Sequence, residues 1–108
     1  METDELNTLV TEAIWRAEEL EYRGASDALQ AWAEVSAIEE ELAKAFPPSD
    51  FQGLIARRGA VRAAFKAGDP GRAQALADAY LVEEAAPESL KADLREMLDQ
   101  GNQSPENL

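Results

Sequence analysis

The chain contains no cysteine and no histidine. The first absence excludes disulfides and thiolate metal sites. The second removes every imidazole-based mechanism and the histidine that helical di-iron sites use. Proline and glycine are sparse, at five and six of 108 residues, so those between apolar stripes stand out as punctuation. Positive charge is also scarce: 10 basic against 22 acidic side chains leave a net charge of −12. Such a surface repels phosphates and anionic lipids, which argues against direct nucleic-acid or membrane binding. No apolar run approaches the roughly 18 residues of a membrane span. Met1 to Thr8 is acidic, without the basic start and apolar run of a signal peptide. A cytoplasmic protein is the expectation, and the lack of cysteine agrees with it.

What is present favours helix. Twenty-one alanines and few β-branched residues give an all-α reading, and the glycines and prolines divide the chain into five helices. The first is expected over about Thr3 to Arg23, with Leu6, Leu9, Val10, Ala13, Ile14, Ala17 and Leu20 on one face. Gly24 suits a left-handed position past its end, and Ser26 or Asp27 caps a second helix reaching Phe46. The inward stripe of that second helix is Ala28, Ala31, Trp32, Val35, Ile38, Leu42 and Phe46. Pro47-Pro48 stops it, and the Ser49/Gln52 spacing predicts a capping box opening a third helix near Asp50. Gly68 ends that helix, and Asp69-Pro70 opens a fourth carrying Ala73, Leu76, Ala77, Tyr80 and Leu81 inward. Pro87 begins a fifth with Leu90, Leu94, Met97 and Leu98 on one face before Gly101. The short links imply antiparallel helical hairpins, as an up-and-down bundle or a repeat-like array, in one domain over residues 1–101. Residues 102–108 are polar and read as a disordered tail.

The stretch from Lys66 to Leu81 resembles a tetratricopeptide repeat (TPR) at its central turn. Gly68-Asp69 stands at the turn and Ala73 at the small position where two helices cross. The resemblance covers about one repeat and implies TPR-like packing of a helical hairpin. The third helix carries Arg57, Ala60, Val61 and Ala64 where the family has its early Trp, Leu, Gly and Tyr. No peptide-binding residues carry over.

Sites for chemistry are hard to assemble. The run Glu39-Glu40-Glu41 and the pair Glu18-Glu19 look at first like metal ligands, but consecutive helical residues diverge by about 100°. They read instead as a solvated acidic face. The serines have no histidine base, and no glycine-rich phosphate loop is present. No catalytic residue, cofactor or metal is therefore assigned.

Two surfaces stand out. Trp15 and Tyr22, seven residues apart, share the side of the first helix opposite its apolar stripe. Either the fifth helix or the tail covers them, or they anchor contact with another chain, because such aromatics bury a large area at low entropy cost. Arg58, Arg62 and Lys66 form a row at four-residue spacing on the third helix. Charge is segregated: residues 1–50 hold 13 acids and three bases, whereas 57–72 hold five bases and one acid. Internal pairing with acids of the first two helices is the favoured reading of the row, and an acidic or phosphorylated partner the other. Together these features point to a non-catalytic adaptor for protein–protein interaction, with a protein partner and a possible homodimer through the first helix. The alternatives are an acidic mimic of nucleic acid or inhibitor of a basic partner, and a small carboxylate-based enzyme.

Overall fold

The computed structural model describes residues 2–102. It consists of five helices: α1 (Thr3–Tyr22), α2 (Ala28–Ala45), α3 (Phe51–Lys66), α4 (Pro70–Leu81) and α5 (Glu88–Asn102). No strand occurs among the described residues. No described helix is long and apolar enough to cross a membrane. Residues 103–108, expected as tail, lie outside the described residues, and α5 runs on through Gly101. That glycine is a packing position rather than a terminator, since a Cβ there would run into the Phe65 ring.

The turns follow local chemistry. Gly24 and Gly68 take positive φ, 66° and 74°, where a side chain would be strained. Asp69 accepts a hydrogen bond from the Arg72 amide (3.0 Å), with Pro70 in the first turn of α4. At α3 the cap is Asp50, not Ser49. Its carboxylate accepts from the Gln52 amide at 2.8 Å, two residues on, so a single side-chain cap replaces the predicted capping box. Asp27 precedes α2 without a side-chain cap.

Each helix packs on the next, and α5 folds back on both α3 and α4. The Cα extents, 38 × 37 × 17 Å, describe a slab about two helices thick. Alanines make this close approach possible. Ala56, Ala60, Ala63 and Ala64 of α3, with Ala73 and Ala77 of α4, are all buried. The larger core residues are Leu6 and Val10 from α1, Trp32, Val35 and Leu42 from α2, Val61 from α3, Leu76 and Tyr80 from α4, and Leu90 and Leu94 from α5. The central helix is α3, with α2 on one side and α4 and α5 on the other. By contrast α1 packs on α2 alone.

Candidate protein-docking groove

That one-sided support of α1 opens a concave surface between α1 and α3. α1 and α3 both pack on α2, each antiparallel to it, and do not touch through their backbones. A groove therefore runs between two parallel helices with α2 as its floor. At one end Asn7, Val10 and Ile14 of α1 face Phe51, Gln52 and Ile55 of α3 across Leu42 and Phe46, around a depression of about 340 Å³. A second depression of about 160 Å³ continues toward Trp32, between Ile14 and Glu18 on one wall and Gly59, Arg62 and Lys66 on the other. The two share Ile14 and Glu39. Phe51 and Ile55 on the α3 wall remain 70% and 43% exposed.

Glu39 sits in the middle of the floor and is only 7% exposed. It is not part of a solvated acidic face, because it falls in register with Val35 and Leu42 on the buried side of α2. Its carboxyl lies over Gly59, where a Cβ would collide with Oε2. No hydrogen bond reaches it from the described residues. Burial pushes its pKa up to about 7, against the opposing charge of Arg62. The far end of the groove is closed by charge and ring. Glu21 accepts from Trp32 Nε1 at 2.9 Å and lies 3.9 Å from Lys66 Nζ, which stands 4.9 Å from the Trp32 ring centre.

The Arg58/Arg62/Lys66 row thus divides. Lys66 pairs with helix α1, as internal pairing requires. Arg58 instead turns to Asp93 of α5 at 2.7 Å, not to the first two helices. Arg62 is left on the groove lip, exposed. Trp15 and Tyr22 lie outside the groove on the far face of α1, 67% and 92% exposed. Helix α5 does not cover them, since it packs on α3 and α4 only.

A second polar cluster joins α3, α4 and the end of α2. Arg57, 5% exposed, donates from Nε and Nη2 to Glu83 (2.6 and 3.0 Å) and from Nη1 to the carbonyls of Phe46 and Gly53. Its guanidinium lies 5.4 Å from the Tyr80 ring centre. The Tyr80 hydroxyl is buried without a partner among the described residues. Its pKa is pushed up to about 12 by burial and by Glu40 and Glu83, against Arg57 and Arg72. Alongside, buried Ser36 donates to the Ala60 carbonyl (2.8 Å) and accepts from Arg72 Nε, while Arg72 also pairs with Glu40. Each charged group here is already matched, which makes the cluster a clasp between helices rather than a reactive site.

Sequence reasoning missed both Glu39 and Arg57. The signal for Glu39 was present: an acid in the apolar register of α2, opposite an interior helical glycine. No comparable signal marked Arg57, whose partner Glu83 lies in the connection after α4. No group of acidic residues among those described is arranged to hold a metal ion. Compared with family models, curated proteins and solved structures, the chain finds no match.

Proposed function

We propose that this chain is a non-catalytic protein-interaction module, working in the cytoplasm, whose α1–α3 groove receives a partner. The observation that carries this reading is the unfilled apolar groove itself, with Phe51 and Ile55 exposed on one wall and Ile14 on the other. Apolar side chains gathered along a concave surface gain most when another apolar face removes them from water. The test compares proteins co-purifying with the tagged wild type and with Phe51→Asp/Ile55→Asp. Both residues are exposed, so folding should survive, as circular dichroism would report. A partner retained equally by both forms would refute use of the groove.

A second reading rests on a different observation. Trp15 and Tyr22 form an exposed aromatic pair on the outer face of α1, a surface suited to self-association.

A further inference from the structure

Resting on the interaction-module reading, we propose that the groove takes an amphipathic partner helix whose apolar face carries one lysine or arginine, set to pair with Glu39. A helix is the occupant that fits these walls. All three sides of the groove are helices whose backbone groups are satisfied internally, so they offer no edge to an extended strand. The floor from Trp32 to Phe46 is roughly 21 Å long at 1.5 Å per residue, room for about four helical turns.

Charge sets the rest of the specificity. Glu39 is the one ionisable group buried in the groove floor, over nine-tenths covered, and it lines both depressions. Around it stand Glu18 of α1 and Arg62 and Lys66 of α3, with Glu21 engaged by Trp32 and Lys66. An entirely apolar occupant would strip the remaining water from the Glu39 carboxylate and leave it unpaired. An occupant with a cation at that point gains a charge-assisted hydrogen bond to a carboxylate that Arg62 influences by charge but does not hydrogen-bond. The flanking Ile14, Leu42 and Ile55 take its neighbouring apolar residues. The net charge of −12 also steers basic segments toward the protein. A second copy of this chain is a poor occupant. The outward face of α1, around Trp15 and Tyr22, is flanked by Glu18 and Glu19, and the cations beside it, Arg16 and Arg23, are already paired with Glu34 and Glu19.

The experiment is a selection from a displayed library of helical peptides of roughly 20 residues, randomised on one face, against the intact protein. The expected result is a set of binders sharing a Lys or Arg within an apolar stripe. These should weaken at least tenfold toward Glu39→Gln and toward Ile55→Asp, two variants on different helices. Binders sensitive to Ile55→Asp but indifferent to Glu39→Gln, or lacking a basic residue, would overturn the charge pairing and leave the interaction module standing. Binders indifferent to Ile55→Asp, or no binders at all, would overturn the groove as well. A wild-type dimer dissolved by Ile55→Asp would make a second copy the occupant and overturn the proposal.

Discussion

Glu39 and Tyr80 are both buried residues whose side chains make no hydrogen bond among the described residues, but only the Tyr80 hydroxyl is sealed from solvent, and they should respond to mutation in different ways. Glu39 has a folded pKa of about 7 against 4.5 for the free side chain. The unfolded chain therefore releases this proton first as pH rises. Stability from this group is complete below pH 4.5, falls through the interval and is lost above pH 7, by up to about 3 kcal/mol. Glu39→Gln should abolish that component, and urea midpoints from pH 5 to 8 would show wild type losing ground to the variant. Tyr80→Phe removes a hydroxyl that has no partner, so it should be neutral or stabilise by up to about 1 kcal/mol. Arg57→Ala, beside it, strands Glu83 and two carbonyls and should cost about 2–4 kcal/mol. Similar urea midpoints for these two variants would show that the clasp is not built as described.

Helix α3 is shaped by close approach on both its sides. Glycine in a helix interior ordinarily costs about 1 kcal/mol relative to alanine, so Gly59→Ala should stabilise if the helix stood alone. Here the added methyl meets the Glu39 carboxyl. That carboxyl ends a flexible side chain bordering open depressions and can swing aside, so Gly59→Ala should gain less than this, and the full gain of about 1 kcal/mol should return in a Glu39→Ala background, a coupling that a double-mutant cycle measures directly. On the opposite side, fully buried Ala73 lets α4 lie against α3. Ala73→Leu is expected to cost about 1–3 kcal/mol by overpacking, read from thermal or urea unfolding. No loss at Ala73 would mean that the α3–α4 hairpin is looser than its alanines imply.

At the scale of the whole molecule, charge opposes association and apolar surface favours it. Two chains of net charge −12 repel each other, so any dimer through Trp15 and Tyr22 should strengthen with moderate salt. Sedimentation of wild type against Trp15→Ala/Tyr22→Ala, at two salt concentrations, should show a dimer that reverts to a folded monomer in the variant. A monomeric wild type at high concentration and moderate salt would remove self-association and leave the groove reading untouched. The two surfaces lie on different faces of α1, so the two tests are independent.

Five helices, their glycine and proline boundaries and most of their buried stripes follow from local rules: helical period, left-handed glycines and the Asp69-Pro70 start. Such rules act within a turn or two of chain and are legible in one dimension. The exposure of Trp15 and Tyr22 was only half legible. Periodicity places them opposite the stripe, but nothing in the sequence says that α5 packs on α3 and α4 and leaves α1 bare. The fate of the arginine row was likewise a tertiary decision, because Asp93 and Glu21 reach α3 from segments 35 and 45 positions away along the chain. Glu39 is the sharpest case. Its register was readable, but its neighbours in the triple-glutamate run suggested water. Whether an acid at that register meets solvent or a helix depends on how closely α3 approaches α2, and Gly59 permits that approach. The groove exists only because α1 and α3 choose separate flanks of α2, a choice made by packing across the whole slab.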